Sequence, residues 1–73
     1  MNDDHEETVR AALATLPDET RRCFLLRYVQ GFEEDDIAVL MKLQIETVRL
    51  RLFQARGRLG LAGVRVREPE RGA

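Results

Sequence analysis

The sequence contains no tryptophan, one tyrosine and three phenylalanines, so aliphatic side chains must supply most of any hydrophobic core. Its single cysteine excludes an internal disulfide framework and a cysteine-based metal cage, and suits a reducing cytoplasm. We find no apolar run long enough for a membrane span or a signal peptide. With 73 residues, the chain has room for one small domain. This is near the lower size limit for a hydrophobic core that no disulfide or metal stabilises.

Charge is distributed unevenly along the chain, although the formal net charge is only −1. Residues 1–20 contain six acidic residues and one arginine, which gives −5, whereas residues 46–65 contain five arginines and one glutamate, which gives +4. The remaining segments are neutral. Basic charge confined to one segment is typical of a protein in which a single secondary-structure element contacts the phosphates of a nucleic acid. The nearly neutral net charge therefore does not exclude nucleic acid as a partner.

Hydrophobic spacing predicts an all-α fold: a small bundle of three or four helices that ends in a helix-turn-helix without a wing. The helices are expected at about 6–15, 17–30, 33–41 and 45–59. Pro17 suits the first position of the second helix and Gly31 suits its end. The expected domain limits are a flexible N-terminus over 1–8, the helical domain over 9–62 and a flexible tail over 63–73.

The fourth predicted helix has two different faces. Four apolar residues recur at helical spacing and are expected to face the core: Val48, Leu52, Ala55 and Leu59. Four arginines fall largely off this stripe: Arg49, Arg51, Arg56 and Arg58. The side chains expected to lock this helix against the third one are Ile37, Ala38, Leu40, Val48 and Leu52, with Met41 as an alternative to Leu40.

A helix-turn-helix whose second helix is rich in arginine favours DNA binding. In such units the second helix lies in the major groove, and here residues 42–44 would form the turn. Arginine can bind phosphates or make bidentate contacts to guanine. We therefore expect the N-terminal half of the fourth helix to face a DNA partner.

Several short motifs, taken in order, carry a family resemblance. They are Ala12-Leu13-Ala14-Thr15-Leu16-Pro17, Arg22-Cys23-Phe24-Leu25-Leu26-Arg27-Tyr28, Gly31, Asp36-Ile37-Ala38, and Thr47-Val48-Arg49-Leu50-Arg51-Leu52-Phe53-Gln54-Ala55-Arg56. Together they resemble region four of bacterial sigma factors, most closely the extracytoplasmic-function group, over residues 12–59.

This resemblance implies a DNA-binding domain of transcription initiation. Such a domain reads the minus-35 element of promoter DNA and docks on the flap of RNA polymerase core, and an anti-sigma factor is a possible further partner. The residues that the resemblance places against DNA are Thr47, Arg49, Leu50, Arg51 and Gln54. The residues that it places in the hydrophobic core of the domain are Val48, Leu52 and Ala55. No cofactor, metal, membrane or small-molecule substrate is implied.

The sequence departs from the family pattern at several positions. Lys42 stands where the turn usually has glycine, and a left-handed backbone there would cost about 1 kcal/mol. Leu50 replaces a common serine, and Gln54 replaces a common arginine. The segment 33–36 is unusually acidic, which suits either a helix N-terminus or a docking surface. These changes weaken the expectation of tight, autonomous DNA binding.

Other candidate functional residues have simpler interpretations. Cys23 lies at an apolar position of the second helix and is expected in the core. His5 has no neighbouring cysteine or second histidine for a metal site. Leu50 and Phe53 could form ordinary helix surface or a small apolar patch for a protein, and we favour ordinary surface for Phe53. The chain lacks the histidine base, the phosphate loop and the paired carboxylates that would indicate an enzyme.

Three hypotheses follow. The chain could be a promoter-reading region-four domain, a protein-interaction module of the same fold that binds RNA polymerase or an anti-sigma factor with little DNA reading, or an unrelated four-helix regulator. Sigma factors also need a region two, and the few polar residues before the first predicted helix do not resemble one. We therefore expect either an excised domain or a free-standing relative.

Overall fold

A computed structural model describes residues 3–67, with side chains from residue 6 to residue 67. Its helices are α1 (Asp3–Ala14), α2 (Asp18–Tyr28), α3 (Glu34–Met41) and α4 (Ile45–Leu61). The described residues contain no strand, which confirms the predicted all-α class. The side chain of His5, and the parts of the predicted flexible ends at 1–2 and 68–73, lie outside the described residues. The domain limits stay a prediction.

The helix ends either coincide with the expected ones or differ from them by up to three residues. Helix α1 extends back to Asp3, the first residue that the structure describes. Pro17 precedes α2 with an extended ψ of 154°, and its carbonyl accepts the N–H of Arg21 at 2.9 Å. Helix α4 continues through Gly60 to Leu61.

The end of α4 is closed by a glycine motif. Gly63 adopts a φ of 85°, and the N–H of Val64 donates to the carbonyl of Leu59 at 2.9 Å. This turn places Val64 in the core, and Val66 packs against the same cluster. Both residues belong to the tail over 63–73 that the sequence predicts to be flexible, and their apolar side chains cover the end of α4.

The core consists of two clusters that share α4. The first joins α1, α2 and the C-terminal half of α4; its buried residues are Ala12, Leu16, Phe24, Ala55, Leu59 and Val64. The second joins α2, α3 and the N-terminal half of α4; its buried residues are Cys23, Ile37, Val48 and Leu52. Tyr28 packs against both clusters. The predicted inward stripe of α4 and the core position of Cys23 are confirmed.

Leu40 does not take part in locking α3 against α4. Its side chain is 55% exposed, whereas Ile37 is fully buried and Met41 packs against the second cluster. Met41 follows Ile37 by four residues and so shares its face, while Leu40 points away. The alternative position, Met41, is the correct one.

Lys42 ends α3 in a left-handed conformation, with φ 57° and ψ 47°. The N–H of Leu43 donates to the carbonyl of Ala38 at 2.9 Å, and the N–H of Lys42 donates to the carbonyl of Val39 at 3.3 Å. These two bonds form a Schellman motif, which normally has glycine at the left-handed position. The turn 42–44 therefore lies where the sequence predicted it.

Replacing Lys42 by glycine should leave the free energy of unfolding unchanged or raise it by up to about 1 kcal/mol, since glycine accepts positive φ without strain. Urea unfolding of Lys42→Gly measures this. Gly31→Ala is the opposite control. Gly31 has φ 80°, and an added Cβ meets no atom within 4 Å. This variant should therefore be destabilised, and only by the strain of a positive φ in alanine. Clear destabilisation by Lys42→Gly would contradict the left-handed assignment.

Leu52→Ala should lower the free energy of unfolding by about 2–5 kcal/mol, because the side chain is 1% exposed and its loss leaves a cavity between α2, α3 and α4. Leu61→Ala makes the same chemical change at a position that is 88% exposed, and should alter stability by less than about 0.5 kcal/mol. Thermal unfolding followed by circular dichroism compares the two. Equal melting temperatures would refute the inward stripe.

Candidate nucleic-acid interface

Of the five residues assigned to DNA, three lie on the side of α4 that faces away from the core, namely Thr47, Leu50 and Gln54, and Arg49 and Arg51 lie on its two flanks. Successive helical residues turn by about 100°, so Val48 and Leu52 each lie about 160° from Leu50. Because both core residues are buried, Leu50 marks the outermost line of the helix, and it is exposed. Gln54 and Arg49 are also exposed, while the remaining two are half-buried: Thr47 and Arg51.

Arg49 is held from α3. Its Nε donates to Oε1 of Glu34 at 3.0 Å, in an ion pair that joins α4 to the first turn of the preceding helix. The Arg49 side chain remains 59% exposed. Exposed pairs of this kind are weak, typically below about 1 kcal/mol, so Arg49 can exchange its partner at little cost.

Arg51 is held from α2 and more tightly. Its Nε donates to Oε1 of Glu19 at 3.0 Å, and its Nη1 donates to Oε1 of Gln54 at 3.3 Å. The Arg51 side chain is 28% exposed, half the exposed fraction of Arg49. The carboxylate and the amide together restrict the guanidinium on two sides.

Arg56 and Arg58 extend the basic surface along α4. Arg56 is half-buried, and its Nη1 donates to the hydroxyl of Tyr28 at 2.8 Å, which ties the helix to α2. Arg58 is exposed and has no ion pair with any side chain that the structure describes. The C-terminal half of α4 therefore keeps a positive charge toward solvent.

Arg27 supports the loop between α2 and α3, a role that was not predicted from the sequence. Its side chain is buried, and its Nη1 donates to the carbonyl of Phe32 at 2.9 Å. Oε1 of Glu33 lies 3.8 Å from the same nitrogen. The buried arginine thus holds the loop between α2 and α3 and sets where α3 begins. The sequence did contain a signal for this role, because Arg27 is a charged residue at a position of α2 that helical spacing directs toward the core.

The acidic segment 33–36 serves more than one structural purpose. Glu34, Asp35 and Asp36 lie in the first turn of α3, where negative charge is favoured, and Glu34 also binds Arg49. The described residues contain no group of three acidic, histidine or cysteine side chains arranged for a metal. Whether the segment also docks a partner stays open.

An apolar groove runs beside the C-terminal half of α4. Phe53, Gly57 and Leu61 line it from α4, and Leu16 and Pro17 line it from the turn between α1 and α2. Phe53 and Leu61 are largely exposed, so this surface has no apolar cover from the described chain. Phe53 was expected to be ordinary surface, and its place in the groove leaves both interpretations open.

No helix within the described part of the chain combines the length and the apolar character that a membrane crossing needs.

Sequence comparison relates this chain to known proteins. Residues 6–59 match the family described as Sigma-70, region 4. The RNA polymerase sigma-H factor of Pseudomonas aeruginosa is 38% identical over 56 residues, which cover 77% of this chain and 29% of that protein. The chain thus spans less than a third of the length of this relative.

Because the family match covers most of the chain, this protein belongs to the sigma-70 region 4 family. That family is a domain of transcription factors, which relates this chain to transcription. The expected resemblance to sigma region four is confirmed.

Cys23 should resist thiol reagents in the folded protein. Burial raises the pKa of its thiol above the ordinary value of 9.0, and the nearby Glu19 carboxylate raises it further, against an opposing effect of Arg51. The raised pKa stabilises the fold below pH 9, and this contribution is lost as the pH rises further. At pH 8 a thiol reagent should react quickly only after denaturant is added. Rapid reaction without denaturant would place Cys23 at the surface.

Proposed function

We propose that this chain reads the minus-35 element of a promoter through the N-terminal half of α4 and docks on RNA polymerase core. The observation that carries the proposal is the arrangement of α4. Its core stripe is buried against α2 and α3, and its opposite face presents Leu50 between Arg49 and Arg51. Membership of the sigma-70 region 4 family supports the same conclusion.

The geometry suits a helix in the major groove. Arg49 and Arg51 lie about 100° to either side of Leu50, so they extend toward the two walls of a groove whose floor Leu50 approaches. Leucine cannot donate a hydrogen bond but can contact a thymine methyl. Thr47 and Gln54 lie next to this line, one turn before and one turn after Leu50, and can reach phosphates or base edges.

The polymerase contact is proposed for a different part of the surface. The groove lined by Phe53, Leu61 and Pro17 is mostly apolar. It shares Gln54 with the proposed DNA contacts, and the rest of it lies apart from them. Apolar side chains left exposed beside a groove are typical of a protein contact. The same chain could then bind DNA and polymerase at once.

The alternative is a protein-interaction module that binds RNA polymerase or an anti-sigma factor with little DNA reading. The carboxylates of Glu19 and Glu34, which bind the two central arginines, favour it because they lower the net charge of the DNA-facing surface. The two functions differ in salt dependence. A promoter reader loses affinity steeply as salt rises, whereas an apolar complex does not.

Replacing Arg49 and Arg51 together by alanine should weaken binding to duplexes selected from a random pool by the parent protein. Each lost contact contributes roughly 1–3 kcal/mol, and the slope of log affinity against log salt should flatten by about two phosphate contacts. Fluorescence anisotropy across a salt series measures both quantities.

The matched control removes two exposed arginines elsewhere, Arg10 and Arg65, so that the net charge changes equally. It should lower affinity only slightly. If both double variants lose the same affinity with helicity unchanged, binding follows total charge and the groove assignment is wrong.

A further inference from the structure

The two arginines that flank Leu50 are restrained to different degrees. Both are bound through Nε by a glutamate from a neighbouring helix, at 3.0 Å in each case. Arg51 is the more buried of the two and has a second contact, from Nη1 to Gln54. Arg49 is mostly exposed, and among the described residues its side chain contacts Glu34 alone.

The atom that each carboxylate binds determines what the rest of the guanidinium can do. An arginine reads guanine through two N–H groups that point in parallel at O6 and N7. A carboxylate on Nε occupies the edge of the planar group that Nε shares with Nη2, so the end of the group formed by Nη1 and Nη2 is the part that can still donate two parallel N–H groups. Restraint before binding reduces the rotamer freedom lost when the base contact forms.

From this difference we propose that Glu19 is a positioning residue that makes Arg51 the specificity-determining arginine of α4, whereas Arg49 contributes sequence-independent phosphate affinity. The proposal rests on the proposed function, since it describes how the same face of α4 reads DNA. Glu19 lies on α2 and is separated from Arg51 by 32 residues, so the pairing exists only in the folded domain.

Glu19 should lower general DNA affinity while raising discrimination. Its negative charge lies beside a surface that meets phosphates, so it opposes every DNA sequence equally. Its hold on Nε favours only those duplexes that place a guanine opposite the outward edge of Arg51. The ratio of affinities for a selected duplex and a scrambled duplex separates these two effects.

The experiment measures that ratio by anisotropy for the parent and for four variants. Glu19→Leu removes the acceptor, and Glu19→Gln removes the charge but keeps an oxygen that can accept from Nε. Glu34→Leu makes the same charge change beside Arg49. Arg51→Lys keeps a positive charge but has no parallel pair of N–H groups.

We expect the ratio to fall by about tenfold or more in Glu19→Leu and in Arg51→Lys, while binding to the scrambled duplex strengthens or stays the same in Glu19→Leu. Glu19→Gln should recover most of the ratio, and Glu34→Leu should keep it. Thermal unfolding identifies any variant that fails to fold. In that case Arg51→Lys and Glu19→Gln, which preserve side-chain length and polarity, decide the test.

Three results would overturn the proposal. A ratio unchanged in Glu19→Leu means that the carboxylate acts by charge alone. An equal fall in Glu34→Leu means that Arg51 has no special role. A parent that binds selected and scrambled duplexes equally refutes the proposed promoter reading itself, which distinguishes that failure from the other two.

Discussion

Burial of one stripe of α4 is the constraint on which the rest of this domain depends. Val48 and Leu52 close the cluster shared with α2 and α3, and Ala55 and Leu59 close the cluster shared with α1 and α2. Helix α2 is the other element that reaches both clusters, with Phe24 in the first and Cys23 in the second. The hydrophobic effect therefore fixes the rotation of α4 about its own axis, and that rotation decides which side chains face outward.

The outward face follows from that rotation, but its electrostatic character does not. Glutamates from α2 and α3 reach across to Arg51 and Arg49, so part of the positive charge of α4 is neutralised by the helices that support it. Surface ion pairs of this kind contribute little to stability. Their main effect is to orient flexible arginine side chains, which gives the supporting helices an influence on whatever α4 binds.

Local chemistry decides the turn on which the helix-turn-helix depends. The structure keeps the Schellman bonds at the end of α3 even though Lys42, and not glycine, takes the left-handed conformation. The contact of Leu43 with the second cluster and the close packing of Ala38 hold the backbone there. A position that locally disfavours its conformation is thus maintained by the apolar residues on either side of it.

The sequence by itself determined the all-α class, the turn at 42–44, the inward stripe of α4 and the core position of Cys23, because these follow from helical periodicity and from local turn chemistry. Only the tertiary structure decided that Met41 and not Leu40 packs inward, that Val64 returns to the core, that Arg27 is buried, and that Glu19 and Glu34 bind the arginines of α4. Periodicity relates residues within one helix. It carries no information about which side chains meet between helices far apart in the chain, since that depends on how the helices pack.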